Sequence, residues 1–204
     1  MRSADIATLL RMPLLLATAY AILVRANAVL VVFLMAVLFL SDSVDGYLAT
    51  LGKHSLADYV TYLARKVTGS KKGKKKFPKK MPSYAAYIDL AADRIIEYAL
   101  WLLFTLLQVI PWFVIVIVYV RNTIADTLVL RKKKTFAKMN SAFGKIASSH
   151  LSRGAYGALK AINFAYLSLV VVAGWPINIG YLLTLLVVAF SLLRGAAEIY
   201  ESLL

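Results

Sequence analysis

Residues 28–48 read AVLVVFLMAVLFLSDSVDGYL, an unbroken apolar run from Ala28 to Leu40 that ends in Asp42 and Asp45, with Gly46 beside the second. The run predicts a helix of membrane-spanning length, about 20 residues. Two carboxylates at its end stand close to hydrocarbon depth. Acids there are expensive to keep, so they point to function and to a partner that offsets their charge. A second pair, Asp89 and Asp93, opens the next apolar run. These four aspartates are the centre around which the rest of the chain is read.

The composition agrees with a membrane solvent. Of 204 residues, 61% are hydrophobic, and the mean hydropathy is +0.73. Soluble domains are nearer half apolar. No cleavable leader is expected, because the first apolar segment lacks a small-residue cleavage site and runs straight into a second span. Cysteine is absent, which excludes disulfides and thiolate metal sites. His54 and His150 lack zinc-ligand spacing and read as loop residues. The net charge of +14, from 24 Lys/Arg against 10 Asp/Glu, would raise nucleic acid as a partner in a soluble protein. Here the basic residues fall between apolar runs, where topology and anionic lipid headgroups account for them without nucleic acid.

Taken in order, residues 1–11 predict an amphipathic N-terminal segment. The first span extends to Val24, with Pro13 predicted to kink it or start a fresh helix. Arg25-Ala26-Asn27 is a polar turn, and the second span covers residues 28–48. Residues 50–83 form a basic loop with ten Lys/Arg, including KKGKKKFPKK, and a short surface helix is predicted over 55–67. The third span runs from Tyr84 to Ile110, and Pro111 marks a turn. The fourth runs from Trp112 to Leu130, followed by a second basic stretch, 131–160, with eight Lys/Arg. The fifth span covers Ala155 to Ala173, Gly174-Trp175-Pro176 is a turn, and the sixth covers Ile177 to Gly195. The three opposite turns contribute Arg25 alone, so the positive-inside rule places both basic loops and both termini on the cytoplasmic side. The expected fold is therefore all-α, a single membrane domain of six transmembrane helices over residues 1–204. All four aspartates then lie near the cytoplasmic face.

Asp42 and Asp45 are three residues apart and Asp89 and Asp93 are four, so on helices each pair shares one face. Two such pairs on adjacent spans make a self-repelling carboxylate cluster. Hard divalent cations, Mg²⁺ or Mn²⁺, are the natural remedy, and a two-metal site clamps phosphoryl oxygens during in-line displacement. Gly46 and Ala49 leave a bare strip of helix that lets a nucleotide approach the backbone. Two other uses of the acids remain open. Arg94 and Arg121 can neutralise part of the cluster as ordinary intramembrane pairs. A proton pathway or cation transporter also uses intramembrane acids, although transporter sites usually lie near the midplane.

These residues resemble the signature of the CDP-alcohol phosphatidyltransferases, D-x-x-D-G-x-x-A-R, eight residues, then G-x-x-x-D-x-x-x-D. The chain supplies Asp42, Asp45, Gly46 and Ala49, then Asp89 and Asp93. Thr8 and Arg11 resemble the family's N-x-x-T-x-x-R segment, with Asp5 in the asparagine position. Gly144-Lys145-Ile146-Ala147-Ser148 resembles a later G-K-x-x-T. The departures are Thr50 in place of the signature arginine, Ala85 in place of its second glycine, and 34 residues between them instead of eight. The excess is the basic loop, an insertion of a kind that loops tolerate thermodynamically.

The resemblance implies a homodimeric phospholipid-synthesising enzyme. Two divalent ions would be held by Asp42, Asp45, Asp89 and Asp93, with Asp93 also serving as general base. Thr8, Asp42, Gly46 and Ala49 would contact the CDP group of a CDP-linked lipid, and an alcohol would displace CMP. A phosphorylated acceptor needs cations, for which Arg121, Lys145 and Arg194 are the candidates. The segment from Arg121 to Asp126 resembles the phosphatidylglycerophosphate synthase branch and favours glycerol 3-phosphate. Asp93-Arg94-Ile95-Ile96-Glu97 resembles the inositol-phosphate branch, so that acceptor stays open. Orientation signals give Lys145 and Arg194 a plainer role as flank charges, and Arg121 can equally pair with Asp126. The lysine run reads as a membrane-facing loop that binds anionic headgroups. If it also draws anionic substrate to the site, deleting residues 70–80 raises the Michaelis constant, most strongly at low salt. An unchanged constant across salt concentrations would exclude steering.

Overall fold

The computed structural model describes residues 3–48, 83–132 and 149–203, and among them there are six helices and no strand. They are α1 (Ser3–Leu23), α2 (Ala28–Leu48), α3 (Ser83–Leu106), α4 (Trp112–Lys132), α5 (His150–Ala173) and α6 (Ile177–Leu203). At 1.5 Å rise per residue each is about 30 Å or longer. Most of the basic insertion, with the helix expected over 55–67, lies outside the described residues.

Pro13 neither ends α1 nor starts it. One helix runs from Ser3 to Leu23 with the proline inside, so the separate amphipathic segment expected at the N-terminus is instead the first turns of α1. Proline removes a single ladder hydrogen bond, and the rest of the ladder carries the helix through.

The turns fall where the punctuation of the sequence puts them. Arg25 takes a left-handed conformation, φ 51°. The Ala26 N–H then reaches back to the carbonyl of Ala21 at 2.9 Å. Asn27 caps α2, its Oδ1 accepting the Val29 N–H at 2.8 Å. After α3, Gln108 is left-handed too, φ 56°, and Pro111 precedes α4. Gly174, φ 67°, ends α5, a conformation glycine adopts without steric cost. The Tyr166 hydroxyl closes that turn by donating to the Pro176 carbonyl at 3.0 Å.

Three helix ends differ from the sequence expectation. α3 stops at Leu106 rather than Ile110. α5 starts at His150 rather than Ala155, because Ser149 caps it, its hydroxyl accepting the Ser152 N–H at 3.1 Å. α6 continues past Gly195 to Leu203.

The helices group into two compact units, residues 1–100 and 101–204. In the first, α1 packs on α2. Their buried positions recur every three or four residues, Leu15, Thr18 and Ile22 on one helix and Val31, Met35 and Leu38 on the other. In the second unit α6 packs on both α4 and α5. Trp101 meets Phe164 edge-on at 4.7 Å, and Phe104 stacks on the same ring at 6.0 Å. Two buried hydroxyls are satisfied within their own helix: Thr18 donates to the Leu14 carbonyl and Ser168 to that of Phe164. Between α6 and α5 the Thr184 hydroxyl donates to Asn163 Oδ1 at 3.1 Å.

The outward faces are aliphatic and aromatic. Leu16, Val29, Leu106, Trp112 and Leu185 are among many large apolar side chains left exposed. Among the described residues two helical segments are long and apolar enough to cross a membrane, Ser152–Ala173 and Ile177–Ala197, with hydropathies of 1.5 and 1.9. Leu10–Leu23 and Ala28–Ser41 are apolar but shorter. That is fewer than the six spans expected. The runs of α3 and α4 are interrupted by charge: Asp93, Arg94 and Glu97 on the first, Arg121 and Asp126 on the second.

Candidate functional site

In the first unit, Asp42 and Asp45 occupy the last two turns of α2, and Asp89 and Asp93 the first three turns of α3. Both segments are helical, so the three- and four-residue spacings place each pair on one helix face. Thr8 and Gly46 are also helical. The side chains of Thr8, Asp42, Asp45 and Asp89 lie outside the described residues, as do Ala49 and Lys145 entirely. Among the described residues no group of three or more acids and histidines converges.

Asp93 is the aspartate whose surroundings are in view. Arg11 Nη1, from α1, stands 2.8 Å from Asp93 Oδ1. Arg11 is 5% exposed and Asp93 43%. That asymmetry decides what the pair does. A guanidinium taken out of water costs several kcal/mol unless a charge meets it, so Arg11 requires Asp93 more than Asp93 requires Arg11. The carboxylate keeps a solvent-facing share of its surface, and it has about four acceptor positions. It is paired with a buried cation and still reachable from solvent.

Arg94, expected as a neutraliser of the aspartates, pairs with Glu97, Nη1 to Oε2 at 3.1 Å. The two are three residues apart on one helix, a geometry that favours the local partner. Glu97 is buried, and a carboxylate taken out of water costs less when a charge meets it. The resemblance placed Arg11 in a matching segment without assigning it a partner. Sequence reasoning missed the pairing because nothing in either segment encodes a contact between α1 and α3.

In the second unit two helices bring cations together. Lys160 Nζ lies 5.0 Å and the Arg194 guanidinium 5.1 Å from the centre of the Tyr156 ring, both within cation–π range. Tyr156 is buried and also faces Phe190 at 5.8 Å. Arg153, Tyr156 and Lys160 follow at three- and four-residue spacing along α5, so they share a face. On α6, Phe190 and Arg194 are likewise four apart. Of these cations sequence reasoning named Arg194. Arg153 fell in the supposed loop because the Ser149 cap was not recognised. The signal that finds it is the Arg-x-x-Tyr-x-x-x-Lys spacing once the helix starts at His150.

On α4, Arg121 is buried and donates from Nη1 to Asn122 Oδ1 at 2.7 Å. The Asn122 amide nitrogen is buried and has no hydrogen-bond partner among the described residues. A shallow hollow of about 320 Å³ lies elsewhere, lined by Thr105, Gln108, Ile110, Pro111, Trp112 and Tyr181. No charged side chain lines it, and Tyr181 precedes Arg194 on α6 by about 20 Å of helix. It is remote from the cations.

Compared with known proteins, the chain matches no family model, and no curated protein sequence matches it significantly.

The Arg11–Asp93 bridge is testable by a double-mutant cycle in detergent. Arg11→Ala and Asp93→Ala should each destabilise the chain, and the double variant should fall short of their sum by about 1–3 kcal/mol. Additivity within about 0.5 kcal/mol would mean that the two charges do not support one another.

Proposed function

We propose that the chain is a membrane-embedded CDP-alcohol phosphatidyltransferase. It moves a phosphatidyl group, or its ether-lipid equivalent, from a CDP-linked lipid to a small polar alcohol, glycerol 3-phosphate being favoured, and releases CMP. The observation that carries this proposal is Asp93: a half-exposed carboxylate held at one oxygen by a buried arginine, in the position the signature reserves for the general base. The wealth of exposed aliphatic surface supports a hydrocarbon solvent, since soluble monomers rarely expose large contiguous apolar patches. All six helices are then read as spans, with both termini and the site on the cytoplasmic side of the cell membrane and a homodimer as the assembly.

The donor set fits a divalent-metal centre. Carboxylates are hard oxygen ligands suited to Mg²⁺ or Mn²⁺, and the helical spacing of Asp42/Asp45 and Asp89/Asp93 aligns each pair. Asp42, Asp45, Asp89 and Asp93 would hold the ions. Two divalent ions supply charge neutralisation at the diphosphate during displacement. The chain's own residues do the rest. Asp93 accepts the proton of the alcohol hydroxyl as that oxygen forms its bond to the lipid-bound phosphorus, and the bond from phosphorus to the CMP oxygen breaks. Arg11 keeps the Asp93 carboxylate oriented for that transfer. Thr8 and the bare strip at Gly46 and Ala49 receive the CDP group. Arg121, Lys145 and Arg194 serve a phosphate on the acceptor, and Arg153 and Lys160 join them as further cations. Positioning and charge neutralisation dominate phosphoryl transfer generally.

Purified chain in vesicles, given CDP-linked diacyl or isoprenoid-ether lipid, should release CMP with an acceptor from a panel of glycerol 3-phosphate, inositol phosphate, inositol, serine and glycerol. Release should require Mg²⁺ or Mn²⁺, and Asp93→Asn should lower it at least about a hundredfold, within the usual worth of a general base. Silence with the whole panel, or full activity in the asparagine variant, would favour a non-catalytic or cation-transporting protein instead.

A further inference from the structure

Gly195, in the interior of α6, occupies a place where a side chain does not fit. A Cβ built there would collide with Arg121 Nε and stand 2.8 Å from its Cγ and 3.1 Å from its Cδ. Contacts under 3.0 Å are essentially never seen for real Cβ atoms. The atoms concerned are the middle of the arginine, so turning the guanidinium alone gives no relief. The whole stem would have to move, and Arg121 is buried. Gly154 and Gly157 on α5 differ: a Cβ at either meets nothing within 4 Å. Glycine inside a helix is less stable than alanine, because its backbone loses more freedom on folding. At Gly195 the arginine packed against it supplies the reason for bearing that cost.

Arg121 is thereby fixed at two points. Its stem lies in the notch at Gly195, and its Nη1 donates to Asn122 Oδ1. The notch sits one residue from Arg194, whose guanidinium stacks on Tyr156, so α4 delivers its arginine to the same turn of α6 that carries another. A guanidinium held by its stem loses little further freedom when it meets an anion, and preorganisation of this kind translates into affinity. Its planar fork suits phosphate oxygens.

We infer that Gly195 is a positioning residue for Arg121: the missing side chain is the seat of the arginine stem, and the seat holds the guanidinium where a phosphate-bearing acceptor is recognised. The second half rests on the transferase function proposed above; the seat itself does not.

Two readouts keep them apart. In thermal unfolding, Gly195→Ala should lower Tm by about 3 °C or more, given about 2–4 °C per kcal/mol at this size. The same change in an Arg121→Ala background should leave Tm unchanged or raise it, since the clash is gone and alanine favours helix. Gly157→Ala is the control and should not lower Tm in either background. A Gly195→Ala penalty that persists without Arg121 would overturn the seat. In turnover, Gly195→Ala should raise KM for glycerol 3-phosphate about tenfold or more, the usual loss for a charge-assisted bond. Its KM for the CDP-linked lipid and its kcat should stay within about threefold, the mark of lost acceptor binding rather than lost chemistry. The double variant should be no worse than Arg121→Ala. An unchanged acceptor KM alongside the sign reversal in Tm would overturn the positioning role and leave a purely structural notch. Absence of turnover in the wild-type chain would count against the transferase function, while the Tm cycle still decides the seat.

Discussion

A buried guanidinium in apolar surroundings constrains everything near it. Arg11 is nearly sealed from solvent, and Asp93 answers it at 2.8 Å. The arginine is carried by α1, which runs unbroken past Pro13 and packs on α2. α3 must present Asp93 towards Arg11 of α1. On the same helix Arg94 pairs with Glu97 one turn on. A carboxylate paired with a buried cation and still reachable from solvent is suited to accept a proton or to share a cation.

The second unit solves a related problem with cations. α6 meets both α4 and α5, and it does so through small or short side chains. Gly180 lies under Leu167, Thr184 bonds Asn163, and Gly195 admits Arg121. Close helix approach through small residues is the usual device where lipid provides no hydrophobic drive for association. The same closeness places positive charge on Tyr156 from two helices. Two cations on one buried ring repel each other, and an anion bound among them would relieve that repulsion.

Much of the helical layout was legible because its signals are local. Apolar runs of span length, Asn27 as a cap, Pro111 and Gly174-Trp175-Pro176 each act within a few residues, and the helices start or stop at or near them. The start of α5 was missed because Ser149, a modest cap, was outweighed by the charge of the preceding loop. That error hid Arg153. The aspartate spacings were legible in the same local way, and helices now carry all four. Partners across helices were not: nothing in the sequence tied Arg11 to Asp93 or Arg121 to Gly195, since such contacts depend on packing rather than period. The expectation of six spans also went further than apolarity allows. Two segments meet the length and hydropathy of a span, and the charged helices can be read as spans only if their charges are paired or functional, as Arg11–Asp93 and Arg94–Glu97 illustrate.

The central claim is that the aspartates of α2 and α3 hold divalent ions. Crystals of the protein grown with Mn²⁺ test it by anomalous scattering. The claim predicts manganese peaks at about 2.1–2.2 Å from carboxylate oxygens of Asp42, Asp45, Asp89 and Asp93, close to the distances of hard octahedral cations. Ordered aspartates with no manganese among them, or manganese bound elsewhere on the chain alone, would contradict it.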